Sequence, residues 1–260
     1  MKPEPLDFVP MWGVFILTTA LVLIGMELGF RVGRWRRRKI GEEKEASIGA
    51  MAGSILGLLA IMLAFTFNLA ASRFDARRQA ILEEAKAVGT TYLRTDLLPE
   101  PHRSEIARLL RDYVDTRVSA VQEHSIEEGI ARSEAMQNEI WARAAAAAEA
   151  NPSIMSGLFI QSLNALIDLH AQRVHVGVRN RMPLIIWGAL FGVALLGMMA
   201  TGYQSGIAET RRSPAEILLA FAFAGILFLI VDLDRPFGGM LQVSQAALLD
   251  VQRSMRPSTR

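Results

Sequence analysis

The chain has 260 residues, of which 51% are hydrophobic and 21% charged, with a formal net charge of +2. The hydrophobic share is higher than that of an ordinary soluble domain, so we expect the apolar residues to be concentrated in membrane-crossing segments. The absence of cysteine excludes disulfides, thiolate catalysis and cysteine-ligated metals. The basic residues cluster beside apolar runs, and no nucleic-acid motif accompanies them, so we expect no nucleic-acid partner.

The first apolar run covers residues 11–30 and is long enough to cross a bilayer. Its one acid, Glu27, lies four residues before Arg31, which predicts an ion pair on one helix face; a role for Glu27 in an ion pathway is the alternative. The basic cluster RWRRRK follows this run instead of preceding it. We therefore expect a retained anchor and not a cleaved signal peptide.

The connection over residues 31–47 is short and strongly basic. The positive-inside rule places it in the cytoplasm, which puts the amino terminus and the segment after the second crossing outside.

The second apolar run, 48–71, contains no ionisable side chain and is the centre of the sequence interpretation. Its small residues recur every three or four positions, so they share one helical stripe on which another helix can pack closely. The alternative is a pore lining, with two phenylalanines forming an apolar constriction and an arginine ring at the mouth. The pore or gate candidates are Gly53, Gly57, Phe65, Thr66, Phe67, Asn68 and Arg73.

Residues 72–181 predict an extramembrane domain of four helices, with the first continuing from the second crossing and the last running into the third. The predicted breaks are Pro99 with Pro101, a capping box of Ser125 with Glu128, and residues 151–153. The four histidines lack the spacing of a zinc-binding helix pair and are expected on solvated helix faces.

A third crossing is predicted over 182–203, with Pro183 in its first turn and Gly188, Gly192 and Gly197 at a helix contact. A fourth follows over 214–231, and the tail 234–260 contains an amphipathic helix. Asp232 and Asp234 close the fourth helix, where the helix dipole disfavours acids, so we expect an arginine beside them, either Arg235 or one of the second helix such as Arg73; a bound metal is the alternative. The fold class is therefore all-α, an integral membrane protein divided into segments 1–71, 72–181, 182–233 and 234–260.

Two pieces of the chain, FNLAASRFDARRQAILEEAKAVGTTYLRTDLLPEP and VDLDRPFGG, resemble the bacterial bestrophin-like membrane proteins. The more specific marks are Arg73, Phe74, Asp75, Arg77, residues 89–92 and residues 232–236. The resemblance implies a homopentameric ion channel with four membrane helices, a helical domain between the second and third, and a Pro-Phe-Gly turn, matched by residues 236–238. It also implies a cytoplasmic domain, which is opposite to the orientation predicted from loop charge. The acidic run of bestrophin calcium sites is absent after this turn, so neither calcium gating nor any cofactor is expected.

The preferred interpretation is a homo-oligomer in the bacterial inner membrane, in contact with lipid and ions, with an ion pathway along the second crossing. The alternative is a non-conducting sensor or scaffold whose helical domain binds a partner. No catalytic constellation is visible, so we do not expect an enzyme. The residues predicted to form a charged network are Glu27, Arg31, Asp75, Arg77, Asp232, Asp234 and Arg235.

Overall fold

A computed structural model describes residues 9–40, 45–123, 125–208 and 214–256. Within these ranges the chain forms eight α-helices and no strand, which confirms the all-α prediction. The helices are α1 (Met11–Ile40), α2 (Glu45–Arg94), α3 (His102–Gln122), α4 (Ile126–Ala150), α5 (Ile154–Val174), α6 (Leu184–Ile207), α7 (Pro214–Asp234) and α8 (Ala246–Ser254).

Four of the described helical segments are long and apolar enough to cross a membrane, as the sequence predicted. The boundaries differ in two places. Helix α1 continues to Ile40, so the basic cluster that we expected in a loop is helical. Helix α4 begins at Ile126 as predicted, but Ser125 makes no side-chain cap there; the capping box is formed instead by Ser153 and Ser156 at the start of α5. His124, Lys44, Arg211 and Arg212 lie outside the described residues.

The contacts divide the chain into two compact units, one of residues 2–74 with 181–242 and one of residues 75–180 with 243–260. In the first unit, α1 and α6 lie against each other through glycines. A Cβ on Gly29 would lie 2.0 Å from the Met199 carbonyl oxygen, and one on Gly206 would lie 2.4 Å from that of Phe30. Of the three glycines predicted at a helix contact, Gly197 lies against α2, where its Cβ would be 3.3 Å from Leu56, whereas a Cβ on Gly188 or Gly192 would meet no other described helix within 4 Å. Close packing of α1 and α6 therefore depends on a different set of glycines.

Helix directions in this unit fit four successive crossings. The contact register of α1 and α6 advances together along both helices, from Gly25 beside Leu195 to Gly33 beside Tyr203, so the two run parallel. Helix α2 runs against α6, because Gly49 lies beside Gln204 while Leu56 lies beside Gly197.

The second unit is a helical bundle with its own apolar core. Side chains from the carboxyl-terminal part of α2 and from α3, α4 and α5 meet there, with α8 contributing Leu248. Among the core residues that are fully buried are Val88, Leu110, Ile140 and Phe159. The tail helix thus belongs to the bundle through its apolar side, as its amphipathic pattern predicts.

Candidate functional site: the open face of helix α2 and two charge clusters

The charge-free part of α2 is the least covered of the crossing helices. Only 17% of its most apolar 18-residue window is buried within the chain, compared with 44% in the corresponding windows of α1 and α7. A Cβ on Gly53 or Gly57 would meet no other described helix within 4 Å. We call the exposed side of this helix the open face; it comprises Gly53, Ser54, Gly57, Leu58, Ala60, Ile61, Ala64, Phe65, Phe67 and Asn68.

The open face consists of two adjacent stripes, and the two phenylalanines lie on different ones. Residues two apart on an α-helix point about 160° apart around its axis, so Phe65 and Phe67 cannot both face one central axis. Phe65 is 73% exposed and shares a stripe with Leu58, Ile61 and Asn68; Phe67 is 39% exposed. The other stripe, which holds Phe67, is otherwise made of small residues: Gly53, Gly57, Ala60 and Ala64. This geometry favours a constriction built from one of the two phenylalanines, and the constriction itself stays a prediction.

Two other pore candidates do not lie on the open face as free polar groups. Thr66 is buried, and its hydroxyl donates to the Met62 carbonyl oxygen at 2.6 Å, so it serves the helix itself. Arg73 is mostly covered and its Nη1 lies 3.3 Å from Asp234 Oδ1. A side chain held in this way is not an unpaired ring charge.

Asp234 is the centre of a small charge cluster at the end of α7. Besides Arg73, its Oδ2 lies 3.6 Å from Arg181 Nε, and Asp234 itself is buried. An arginine therefore lies beside Asp234 as expected. It is Arg73 of the second helix, one of the two residues predicted for this place. Two cations around one buried carboxylate offset the unfavourable helix dipole at this position.

Asp232 has a different role from the one predicted. Its carboxylate oxygens accept the backbone N–H groups of Met240 and Leu241 at 2.6 and 2.9 Å, so the positive partners are peptide dipoles and not an arginine. Gly239 lies so close that a Cβ would approach Asp232 Oδ1 to 2.6 Å, and Gly238 has φ +76°. The Pro-Phe-Gly turn is thus folded back onto the last turn of α7 and held there by Asp232.

The seven residues predicted as a charged network lie on α1, on α2 and at the end of α7. Glu27 and Arg31 make the expected pair at 2.7 Å on the surface of α1. Arg235 Nη2 donates to the Val9 carbonyl oxygen at 2.6 Å. Asp75 is exposed and Arg77 is buried on α2. A single network of all seven side chains stays a prediction.

The bundle contains a buried carboxylate that the sequence interpretation missed. Glu84 of α2 is completely buried and is surrounded by side chains from α3 and α5. Its Oε1 accepts the Tyr113 hydroxyl at 2.5 Å and lies 3.3 Å from Arg117 Nε, and its Oε2 accepts Arg173 Nη1. His170 Nδ1 is 2.9 Å from the Tyr113 oxygen and 3.5 Å from Glu84 Oε1.

The Glu84 cluster stays ionised because its charges compensate each other. Burial alone would raise the pKa of Glu84, but Arg173, the His170 hydrogen bond, Arg117 and Tyr113 together hold that pKa well below its usual range. Burial and the Glu84 charge raise the pKa of Tyr113, so its hydroxyl keeps the proton that it donates. Arg173 Nη2 also donates to Gln245 Oε1 at 3.1 Å. The Glu84 carboxylate thus ties α2, α3 and α5 together, and Arg173 links them to the segment before α8.

A pattern in the sequence could have revealed this cluster. Glu84 falls at helical spacing between Ile81 and Val88, both in the core, and His170 follows Leu163 and Leu166 in the same way. The prediction that the histidines are solvated is therefore wrong for His170, which is buried, although His175 is exposed. The sequence interpretation placed polar residues in solvent because of their residue type, whereas the helical register places Glu84 and His170 in the core.

These features define the class of protein: an all-α membrane protein with four described helical segments long and apolar enough to cross a bilayer, and a helical bundle with its own core. The chain matches the Bestrophin-like domain over residues 16–248 and belongs to the bestrophin-like family. No curated protein matches the sequence.

Solved structures support this fold. A point mutant of a bacterial bestrophin homologue from Klebsiella pneumoniae has a TM-score of 0.68 at 15% identity, covering 94% of this chain and 97% of that one. A second point mutant of the Klebsiella pneumoniae homologue has a TM-score of 0.69 at 16% identity, covering 93% and 95%. A structure described only as a mutant membrane protein has a TM-score of 0.69 at 15% identity, covering 92% and 97%. Identity this low establishes a common fold and nothing finer.

Proposed function

We propose that this protein is a homo-oligomeric ion channel in which copies of α2 surround the ion pathway. The observation that carries the proposal is the open face. Helix α2, which contains the charge-free run 48–71, is the crossing helix that its own chain covers least. A membrane helix in this position is covered either by lipid or by other copies. The chemistry of the face distinguishes the two.

Asn68 argues against lipid. Its side chain is exposed within the charge-free run and makes no hydrogen bond with any described residue. Hydrocarbon offers an amide no partner, and an unsatisfied polar group in lipid costs several kcal/mol by an order-of-magnitude estimate of about 2–7. Water in a pathway, or a polar group of a neighbouring copy, satisfies it. The same helix face therefore favours an assembly with a hydrated axis.

The two stripes have complementary roles in such an assembly. The small residues of the Phe67 stripe allow the helix of a neighbouring copy to approach closely, as Gly29 and Gly206 do within the chain. The Phe65 stripe then faces the axis, with Leu58, Ile61 and Phe65 forming an apolar constriction and Asn68 beyond it. Apolar constrictions of this kind gate by dewetting.

The test compares two phenylalanines that differ only in their stripe. In planar bilayers containing the purified protein, Phe65→Ala should raise single-channel conductance, because it widens the constriction. Phe67→Ala is the matched control and should leave conductance unchanged while weakening the oligomer in native mass spectrometry. No current from the wild type or from Phe65→Ala would overturn the proposal.

Cysteine labelling gives a second measurement, since the chain has no native cysteine. A charged thiol reagent should block current through Ile61→Cys and Phe65→Cys channels. It should not block current through Phe67→Cys channels, because that side chain lies at the helix contact. Block of the Phe67→Cys channel alone would place the axis on the other stripe and contradict the assignment.

The second candidate function is a non-conducting scaffold, which the bundle alone would serve. An oligomer whose axis is filled by lipid, with no ion flux from proteoliposomes, would favour it. Subunit number is read from the same preparation by native mass spectrometry; five is the number that the family resemblance implies.

The proposed location is the bacterial inner membrane. The bundle is proposed to lie outside the cytoplasm, because the positive-inside rule places the basic end of α1 on the cytoplasmic side. Family resemblance implies the reverse. A reporter fused after Ala150 decides: alkaline phosphatase activity there supports an external bundle, and activity only of a cytoplasmic reporter contradicts it.

A further inference from the structure

The last turns of α1 carry a compact group of exposed cations. Because α1 continues to Ile40, the side chains of Arg31, Arg34, Trp35, Arg38 and Lys39 fall within an arc of about 140° on one side of the helix. All five are exposed, and Trp35 is 56% exposed. Lys39 Nζ lies 4.7 Å from the centre of the Trp35 ring. Residues 31–45 contain seven basic and three acidic residues, so the segment has an excess of positive charge.

The opposite side of α1 fixes this group in place. Gly29 and Gly33 lie against the α6 backbone, and Arg37 Nη1 donates to the Ile207 carbonyl oxygen. This side of α1 is thereby held against α6. The cationic side of the helix is directed away from that contact.

The same side of α1 is apolar further towards its amino terminus. Leu17, Ile24 and Leu28 are exposed and lie within about 60° of Arg31 around the axis. Along this face, from the amino-terminal towards the carboxyl-terminal end of α1, exposed apolar side chains are thus followed by a tryptophan and by arginine side chains. Tryptophan is enriched at the boundary between hydrocarbon and headgroups, which is where this order places Trp35.

We propose that this face binds an anionic phospholipid. Arg34 and Arg38, one helical turn apart with Cβ atoms about 6 Å from each other, hold the headgroup phosphate. The acyl chains lie along Leu28 and Ile24, and Trp35 lies at the level of the glycerol. A phosphate alone matches the arginines but not the apolar stripe, whereas a lipid matches both. The proposal does not depend on conduction.

The binding test uses the purified full chain in detergent, titrated with phosphatidylglycerol or phosphatidylcholine of the same acyl chains and followed by native mass spectrometry. Each basic residue near a membrane surface contributes about fivefold in affinity for anionic lipid. Arg34→Gln with Arg38→Gln should therefore lower the affinity for phosphatidylglycerol about 25-fold and leave that for phosphatidylcholine unchanged. The control, Arg108→Gln with Arg132→Gln, removes the same charge from exposed positions of the bundle and should change neither.

Four results would overturn the proposal. One is equal wild-type affinity for the two lipids, and another is an equal loss in the control variant. The third is displacement of phosphatidylglycerol by inorganic phosphate at the same concentration, which would show that the acyl chains contribute nothing. The wild type supplies a check that needs no variant: phosphatidylglycerol binding should weaken as salt is raised, because exposed cations are screened. Binding that is independent of salt would also reject it.

Discussion

Glu84→Gln removes the negative charge from the centre of the bundle while keeping the shape of the side chain. Glu84 is completely buried, and its partners Arg117 and Arg173 expose only 8% and 10% of their side chains. The variant leaves two guanidinium groups buried beside a neutral amide. Water cannot replace the lost partner, because the site is closed to solvent.

The size of the effect follows from this burial. Removing one partner of a buried ion pair costs about 3–5 kcal/mol, because the other charge stays desolvated. At about 2–4 °C per kcal/mol for a chain of this size, the melting temperature should fall by about 6–20 °C. The matched control is Glu128→Gln, whose exposed pair with Arg132 is one turn apart on α4 and contributes at most about 0.5 kcal/mol. That variant should melt within about 2 °C of the wild type.

The pH dependence has a definite sign. The pKa of Glu84 is lower in the folded chain than its unfolded value of about 4.3, so its stabilisation is fully present above that value. It is lost progressively as the pH falls from the unfolded value to the depressed folded pKa. The difference in melting temperature between wild type and Glu84→Gln should therefore be constant from about pH 5.5 to 8 and should shrink below about pH 4.

The assay is thermal unfolding of the purified protein in one detergent across this pH range. A double-mutant cycle with Arg173→Met adds a check, since that second change should cost less in the Glu84→Gln background by about 1 kcal/mol or more. Additive effects would show that the two side chains do not act as a pair. A Glu84→Gln protein as stable as the wild type at pH 7 would refute the reasoning altogether.

Three other substitutions, one of them with a matched control, test the first unit. Gly29→Ala should reduce the yield of folded protein severalfold, because its Cβ would lie 2.0 Å from a carbonyl oxygen; Gly188→Ala, with open space around it, should be neutral by size-exclusion chromatography. Asp234→Asn should lower the melting temperature by several degrees, because two arginines lose their common partner, and unchanged melting would contradict that cluster. Gly239→Ala should make the segment after α7 sensitive to limited proteolysis, since the new Cβ meets Asp232; wild-type resistance would count against the turn.

Much of the architecture could be read from the chain because a bilayer imposes simple rules. A crossing helix needs about 20 apolar residues, and every backbone group must be satisfied within it. The charge-free run 48–71 and the breaks at Pro99, Pro101 and 151–153 follow from such local constraints, and the helices indeed end there. The pair Glu27–Arg31 was predictable for the same reason, since four residues along a helix are always neighbours.

Contacts between helices were decided only in three dimensions. Gly29 and Gly206 pack closely whereas Gly188 faces open space, although all three occur in similar apolar runs. Glu84 and His170 are polar residue types, yet both are buried. The helical register places them among core residues, and the folded bundle brings an arginine of another helix beside Glu84. Apolar length and breaks are properties of one segment, so the sequence by itself determined the crossings and the helices. The partner of each face depends on where other segments lie, so only the tertiary structure decided which residues meet.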